Sequence, residues 1–383
     1  MGNDEFNLAP RDNRELKRLL VIFGTRPEAI KLCPLVRELR RRPDLFSVKV
    51  CVTAQHREML DQALQAFSVQ PDYDLDLMRP RQTLSGLTAR ILSALEAVFQ
   101  RERPDLAVVQ GDTTTTLAGA LAAFYHETPV AHVEAGLRTG DMAQPFPEEM
   151  NRVLTSRLAA WHFAPTKRAA DALLGEGAAA ERVFVTGNTG VDAVLYVREA
   201  LDSGVLTAPN WPWLEPDKRM ILVTSHRRES FGPGFENAMR ALARLAERED
   251  VRVVYPVHRN PRVAEPAHTM LAGLARVTLL DPLPYVPFVD LMRRCALIVS
   301  DSGGIQEEAP SLGKPTLVLR DKTERPEAVE AGTVKLVGTD EGRIVAEASR
   351  LLDDPEEYAR MTQIHNPYGD GHACERIARV LGS

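Results

Sequence analysis

The sequence predicts an α/β protein with two doubly wound, Rossmann-like domains that face each other across a cleft. Its 383 residues exceed what one hydrophobic core usually serves, so two domains of roughly 150 to 200 residues are expected. Short apolar runs alternate with longer helical patterns along the chain, which indicates βα repetition. Most of these runs are continuous rather than alternating, as in parallel strands that are covered on both faces.

Twelve apolar runs are candidate strands, six in each half of the chain. The first six are RLLVIFG, VKVCVTA, LAVVQGD, VAHVEAG, WHFAPT and RVFVTGN, and the second six are RMILVTSH, VRVVYPVH, VTLLDP, CALIVSD, PTLVLRD and TVKLVG. Residues 201–218 are rich in Pro, Trp and polar residues and lack periodicity. The predicted domains are therefore 1–200 and 201–365, and 366–383 is expected to be a helix that packs back on the first domain.

Composition indicates which class of protein this is and which kinds of binding partner are expected. Hydrophobic residues make up 44% and charged residues 26% of the chain, which is ordinary for a globular protein. The net charge of −6 weighs against a nucleic-acid partner, since binding of the phosphate backbone needs a basic face. No run of 18 apolar residues predicts a membrane span, and the N-terminus has no signal-peptide core. The four scattered cysteines suggest free thiols in a cytoplasmic protein.

Side chains at the ends of the predicted strands should line one cleft, because open α/β sheets bind ligands at the carboxyl ends of their strands. In SDSGGIQEEA, Ser302 can cap a helix, and Gly303 and Gly304 let an anion approach backbone N–H groups at the helix start. Glu308 then lies one to two turns further along, where it can accept ribose hydroxyls. Neither the P-loop pattern nor the dinucleotide fingerprint is present.

The first half carries cations and acids at its strand ends. Arg26 and Lys31 bracket a turn into a helix and form a second candidate anion site. Asp112, Glu134 and Glu148 are acids that can serve general acid–base chemistry in one cleft, although Asp112 also suits the N-cap of the Thr-rich helix after it. No His/Asp cluster has the spacing of a metal site, so no metal or other cofactor is predicted.

Histidines end two strands in the second half. His226 is followed by two arginines, and a histidine beside a phosphate can donate a proton to a leaving group. His258 has a similar place, but a supporting structural role is expected for it.

Taken in order, these motifs resemble the non-hydrolysing UDP-N-acetylglucosamine 2-epimerases. The matching pieces are GTRPEAIKLCPLV, TAQHREMLDQ, QGDTTTT, HVEAGLRTGD, PFPEEMNR, TGNTGVDA, SHRRESFG, SDSGGIQEEAPSLGKPTLVLRDKTERPE and NPYGDGHACERI. The resemblance implies the two-domain fold of GT-B glycosyltransferases, a cytoplasmic homodimer, and interconversion of UDP-GlcNAc and UDP-ManNAc. It also implies a reaction without a nicotinamide, in which UDP is eliminated to give 2-acetamidoglucal and is then added back.

The same resemblance assigns roles. It implies that the acids Asp112, Glu134 and Glu148 handle the C2 proton and the cationic sugar, and that His226 assists departure of the diphosphate. The implied ligands of the nucleotide and sugar are Arg26, Lys31, Asp112, Glu134, His226, Leu283 (through its backbone), Phe288 near the uracil, Ser302, Gly303, Gly304, Glu308 at the ribose, and Arg325. The family's activator site is matched by Gln55, His56 and Arg81, whereas Glu58 and Val153 depart from its pattern.

Three alternatives stay open at the level of sequence. A hydrolysing epimerase would differ only in the access of water to the glucal intermediate. A retaining glycosyltransferase would share the donor site but would need an acceptor pocket. A catalytically silent nucleotide-sugar sensor would not need the four groups Asp112, Glu134, Glu148 and His226.

Overall fold

Two parallel sheets form the scaffold, one in each half of the chain. The structure is a computed structural model that describes residues 16–54, 57–79, 82–227, 231–363 and 365–383, with the backbone alone at 57 and 58. Within these residues the first sheet has the strand order β3-β2-β1-β4-β5-β6-β7 and the second β10-β9-β8-β11-β12-β13. In both sheets all neighbouring strands are parallel.

The first half alternates strands and helices in the doubly wound manner. Its strands are β1 (Lys17–Phe23), β2 (Phe46–Val52), β3 (Tyr73–Asp74), β4 (Leu106–Gln110), β5 (Val130–Val133), β6 (Trp161–Ala164) and β7 (Val183–Val185). Its helices are α1 (Arg26–Arg40), α2 (Arg57–Ala66), α3 (Leu84–Glu102), α4 (Thr114–Tyr125), α5 (Glu148–Leu158), α6 (Lys167–Gly175) and α7 (Thr189–Asp202).

The second half repeats the arrangement. Its strands are β8 (Arg219–Thr224), β9 (Val251–Pro256), β10 (Val277–Leu280), β11 (Leu297–Ser300), β12 (Thr316–Val318) and β13 (Val334–Leu336). Its helices are α8 (Pro233–Leu245), α9 (Pro261–Leu271), α10 (Tyr285–Arg294), α11 (Gly303–Glu308), α12 (Pro326–Ala331), α13 (Glu341–Asp353) and α14 (Pro355–Thr362), and α15 (Ala373–Gly382) ends the chain.

All twelve apolar runs form strands, so the predicted fold class is confirmed. The central strands are buried throughout, as in LAVVQ of β4 and LIVS of β11, which explains why the runs are continuous rather than alternating. Sequence reasoning missed β3, which consists of two residues that pair with the end of β2. The division of the chain near residue 200 stays a prediction.

Apolar packing joins the two halves beside the sheets. Phe67, directly after α2, stacks on Tyr196 of α7 with ring centroids 5.3 Å apart, and it lies 6.3 Å from the ring of Tyr285 in α10. Helix α15 lies on the first half, where the carboxylate of Asp192 in α7 accepts hydrogen bonds from the backbone N–H groups of Ala373 and Cys374. The facing ends of the sheets are thus held by a continuous hydrophobic cluster.

The described residues contain no helix that is both long and apolar enough to cross a membrane. The four cysteines are all buried and unpaired with one another.

Candidate active site

Side chains from both halves meet where the carboxyl ends of the two sheets face each other. Nζ of Lys31 in α1 lies 3.3 Å from Oε2 of Glu307 in α11, and Nδ2 of Asn188, which caps α7, donates to the same oxygen at 3.0 Å. Helix α1 follows β1 and α11 follows β11, and the strand order reverses beside each of these strands. Ligands of doubly wound sheets bind at such switch points, so this is the candidate active site.

Glu134 follows β5 and is held in an unusual backbone conformation. Its φ is +59°, in the left-handed region that few residues other than glycine adopt, and such positions concentrate at functional sites. Nζ of Lys31 is 2.5 Å from its Oε2, and Gln110 at the end of β4 donates to the same oxygen. Burial raises the pKa of Glu134, and Lys31 opposes that rise. The carboxylate is therefore fixed, poorly hydrated and paired with a cation.

Asp112 follows β4 and is held from three sides. An Nη of Arg152 lies 2.5 Å from its Oδ2, Asn151 donates to its backbone carbonyl at 2.8 Å, and Nε2 of His132 hydrogen-bonds the carbonyl of Gly111 at 2.7 Å. Burial raises the pKa of Asp112, while Arg152 opposes and Glu148 adds to that rise. Glu148, the first residue of α5, is thus an electrostatic neighbour of Asp112.

The alternative role of Asp112 as a helix cap is wrong. The N-cap of α4 is Thr113, whose hydroxyl accepts from the backbone N–H of Thr116. The same Thr113 hydroxyl donates to the buried carboxylate of Glu28 in α1. Because threonine satisfies the helix, the side chain of Asp112 turns to Arg152 and remains available to a ligand.

Glu307, which the sequence left without a role, lies at the centre of the contacts between the halves. Its side chain is 2% exposed, and its Oε1 accepts from Nε of Arg325, while its Oε2 faces Lys31 and Asn188. Burial works to raise the pKa of Glu307, but Arg325 and Lys31 outweigh it and hold that pKa below its ordinary value. Glu307 is therefore an ionised carboxylate buried between two cations.

The Ser-Gly-Gly turn starts α11 beside two guanidinium groups. A Cβ on Gly303 would lie 3.6 Å from Arg227 and 3.8 Å from Arg325, whereas a Cβ on Gly304 would meet only Ser302, at 3.9 Å. Ser302 occupies the N-cap position but makes no capping hydrogen bond with its side chain, which corrects the simple capping role predicted from sequence. The turn thus presents a backbone without side chains to a basic corner, a suitable place for phosphate oxygens.

The helix after this turn is short. It ends at Glu308, and residues Ala309–Leu312 continue as a 3-10 turn that contains Pro310, because proline cannot donate the hydrogen bond that would extend the α-helix. The acids of this segment are buried rather than solvated.

Glu308 ends α11 and is the predicted ribose ligand. It is buried, its Oε2 lies 3.4 Å from the hydroxyl of Tyr285, and burial raises its pKa to about 8. The guanidinium of Arg26, at the start of α1, opposes that rise. Leu283 and Phe288, before and within α10, are partly buried against the adjoining hydrophobic cluster. The predicted ribose and uracil residues therefore share one wall.

His226 follows β8 and faces a buried carboxylate. Its Nδ1 is 3.5 Å from Oδ1 of Asp301, and the Oδ2 of Asp301 accepts from Ser225 and from the backbone N–H groups of His226 and Arg227. The His226 ring stacks on His258 with centroids 5.5 Å apart. Burial lowers the pKa of His226, and Asp301 opposes that change. The imidazole therefore lies between the Asp301 carboxylate and the His258 ring.

The structure brings most of the predicted residues to one place. Contacts or electrostatic influence connect Arg26, Lys31, Asp112, Glu134, Glu148, Glu308 and Arg325, and His226 belongs to the same group through Arg26. Gln55, His56 and Arg81, the predicted activator residues, lie outside the described residues. The described residues contain no cluster of three or more His, Cys, Asp or Glu side chains that could hold a metal ion.

Comparisons with known proteins agree on one family. The model of the family described as UDP-N-acetylglucosamine 2-epimerase matches residues 37–382. A UDP-N-acetylglucosamine 2-epimerase of Escherichia coli (strain K12) is 58% identical over 369 residues, which cover 95% of this chain and 98% of the relative.

Solved structures give the same result. The UDP-GlcNAc 2-epimerase from Neisseria meningitidis, bound to UDP-GlcNAc, matches with a TM-score of 0.88 and 48% identity over 95% of this chain and 99% of that chain. The enzyme of Methanocaldococcus jannaschii, in complex with UDP-GlcNAc and UDP, matches with a TM-score of 0.76 and 34% identity over 95% of this chain and 99% of that one.

Proposed function

The chain belongs to the UDP-N-acetylglucosamine 2-epimerase family and is an isomerase, and we propose how its residues interconvert UDP-GlcNAc and UDP-ManNAc. The observation that carries the proposal is the meeting of two kinds of subsite in one cleft. A basic, glycine-lined corner around Ser302 suits a diphosphate, and the cation-paired acids Glu134 and Asp112 suit a sugar that becomes cationic. The contact of Lys31 with both Glu134 and Glu307 joins the two subsites.

The nucleotide is proposed to bind along the second half. Gly303 and Gly304 offer backbone N–H groups, Ser302 its hydroxyl, and Arg325 and Arg26 their guanidinium groups to the diphosphate. Glu308 is proposed to accept the ribose hydroxyls, with Phe288 and the backbone of Leu283 beside the uracil.

The sugar is proposed to react against the first half. The C2 hydrogen is not alpha to a carbonyl, so it is removed as the C1–O bond breaks and the bonding pair leaves with UDP. The product is 2-acetamidoglucal, and its cationic transition state is stabilised by the carboxylates of Asp112, Glu134 and Glu148. Re-addition forms the C1–O bond again while C2 receives a proton on its other face.

Inversion at C2 requires proton donors and acceptors on both faces of the sugar. Asp112 and Glu134 approach from the ends of different strands, β4 and β5, and each is paired with its own cation, Arg152 and Lys31. Two separately held carboxylates meet this requirement better than one mobile group. His226 is proposed to give a proton to the leaving diphosphate and to take it back on re-addition.

Incubation with UDP-GlcNAc in D₂O tests the reaction. We expect NMR to show a mixture of UDP-GlcNAc and UDP-ManNAc with deuterium at C2 of both sugars, because the C2 proton exchanges with solvent through the acids. Recovered nucleotide sugars without deuterium at C2 would refute elimination, and release of free ManNAc would indicate hydrolysis instead.

Variants in the same assay test the residue roles. Asp112→Asn and Glu134→Gln should lose roughly 10²-fold or more of the exchange rate while calorimetry shows little change in UDP affinity, because both act on the sugar. Ser302→Ala should instead weaken UDP binding. An Asp112→Asn enzyme that exchanges at the wild-type rate would remove Asp112 from the acid–base role.

We also propose a cytoplasmic homodimer. The four unpaired, buried thiols support a reducing compartment. The exposed aromatic pair Phe124 and Tyr125 at the end of α4 supplies apolar surface of the kind that partner subunits cover. Light scattering of the purified chain would test the dimer, and a monomeric mass at micromolar concentration would exclude it.

A further inference from the structure

We propose that Glu307 is a positioning residue that couples the nucleotide subsite to the sugar subsite, by holding Lys31 against Glu134 and Arg325 beside the diphosphate position. The inference rests on the proposed function for the identity of the two subsites. It concerns a residue that contacts neither the sugar nor the nucleotide in that proposal.

The contacts of Glu307 run in both directions. On one side its Oε1 accepts from Nε of Arg325, whose guanidinium lies against Gly303. On the other side its Oε2 lies 3.3 Å from Nζ of Lys31, which in turn is 2.5 Å from Oε2 of Glu134. Two cations and two carboxylates thus alternate from the diphosphate position to the sugar position.

The chain of charges is buried and balanced. The side chains of Lys31, Glu134, Glu307 and Arg325 are 14%, 7%, 2% and 12% exposed, and their formal charges sum to zero. Removing one partner of a buried pair leaves an uncompensated charge in a poorly hydrated place. Loss of Glu307 would therefore leave Lys31 and Arg325 each without one of its carboxylate partners, and we expect a change at one cation to reach the other through Glu307.

The network also crosses between the halves of the chain. Asn188 at the start of α7 donates to Oε2 of Glu307 at 3.0 Å, and Asn366 donates to the Glu307 backbone carbonyl. A diphosphate beside Gly303 would compete with Glu307 for Arg325, because both are anions. Binding of the nucleotide would then change how strongly Lys31 interacts with Glu307 and with Glu134.

Glu307→Gln tests the inference, since glutamine keeps the shape and removes the charge. We expect kcat in the D₂O exchange assay to fall roughly 10- to 100-fold, as for a displaced catalytic group. Calorimetric UDP affinity should stay within about threefold, because Arg325 loses both the carboxylate that holds it and the anion that would compete with the diphosphate for it. A loss in kcat with UDP binding retained would show that Glu307, which lies beside the nucleotide subsite, affects the chemistry at the sugar subsite.

The pH profile supplies a second readout. The groups that face Glu134 are Lys31 from α1, Arg325 before α12, Glu307 from α11 and the neutral Gln110 from β4. Of these, Glu307 raises the pKa of Glu134. Lys31, at 2.5 Å from the carboxylate, lowers that pKa more strongly. Loss of the Glu307 charge releases Lys31 from its place against Glu134, so the acid limb of kcat should move to higher pH, a change that a purely structural role would not produce.

Asp192→Asn is the matched control. Asp192 is also a buried carboxylate, but it holds the start of α15 rather than the cleft. We expect this variant to lower the melting temperature and to leave kcat, UDP affinity and the acid limb at wild-type values.

Glu307→Asp retains the charge and covers the case in which Glu307→Gln does not fold. Its shorter side chain moves the charge away from Lys31, so kcat should fall with UDP affinity retained, and the acid limb should move in the same direction as in Glu307→Gln but by less. The proposal is overturned if a folded Glu307 variant keeps wild-type kcat, or if it loses UDP affinity more than tenfold. Wild-type enzyme in the same assay separates the two hypotheses, because absent exchange there contradicts the proposed function and not the role of Glu307.

Discussion

At the scale of single residues, the orientation of His226 depends on Asp301. The carboxylate of Asp301 accepts three hydrogen bonds on Oδ2 and presents Oδ1 to Nδ1 of His226 at 3.5 Å. Oδ1 makes no hydrogen bond within the described residues, and its charge 3.5 Å away favours a proton on Nδ1, which would leave Nε2 for the proposed proton exchange with the leaving diphosphate. A buried carboxylate that fixes a histidine tautomer is a recurrent element of catalytic sites.

Asp301→Asn should lower kcat by roughly 10² to 10⁴ with little change in UDP affinity. The asparagine oxygen can still accept from the backbone N–H groups, but its amide would then face Nδ1 with a donor and favour the wrong tautomer. Steady-state kinetics and ¹⁵N NMR of the imidazole measure the two effects. Ser225→Ala is the control, because it removes one hydrogen bond and retains the charge, so its kcat should change only a few-fold.

Sequence reasoning singled out candidate site residues that directly follow predicted strands. Arg26, Asp112, Glu134, His226 and Ser302 all occur within three residues of a strand end, where the doubly wound rule places ligands. Glu307 and Asp301 were not singled out, because their partners are distant in the chain. Glu307 meets Lys31 across 276 positions, and Asp301 meets His226 across 75. Only tertiary structure brings such pairs together.

At the scale of elements, continuous apolar runs predicted strands reliably, whereas a short polar strand could not be predicted. The runs mark strands that helices cover on both faces, whereas β3 is the dipeptide Tyr-Asp and carries no such pattern. The sequence predicted that a polar side chain caps the start of α4, but not which one. Four consecutive threonines offer several possible caps, and the N-cap is Thr113. That choice leaves the side chain of Asp112 to Arg152.

The Ser-Gly-Gly start of α11 gives an element-scale prediction. Gly303→Ala should weaken UDP binding roughly 10- to 100-fold, the range expected when one charge-assisted hydrogen bond is lost. Its methyl group would stand 3.6 to 3.8 Å from Arg227 and Arg325, where the diphosphate is proposed to lie. Titration calorimetry with UDP measures the change.

Gly304→Ala provides the comparison. A methyl group there would meet only the Ser302 hydroxyl, at 3.9 Å, so it should weaken UDP binding less than Gly303→Ala does. Equal effects of the two substitutions would contradict a diphosphate between the two guanidinium groups.

At the scale of the whole molecule, the cleft concentrates buried acids. Burial raises the pKa values of Glu28, Asp112, Glu134 and Glu308, so part of this charge is unfavourable in the folded, ligand-free protein. The opposing cations come from both halves, as Lys31 and Arg325 do. The site therefore depends on the two halves remaining in contact, and its ionisation should appear in the stability of the whole chain.

The ionisation of Glu308 should make the stability of the folded chain depend on pH. Its pKa rises from 4.5 to about 8 in the folded protein, so between these values the folded state binds a proton that the unfolded state has released. The free energy of unfolding should accordingly fall as pH rises through this window, by at most about 1.4 kcal/mol per pH unit. Glu308→Gln cannot ionise and should escape the loss. We expect the melting temperature of this variant, measured without UDP, to gain on that of the wild type steadily from pH 5 to pH 8. A difference that stays constant, or that shrinks as pH rises, would show that Glu308 is already ionised in the folded cleft at low pH.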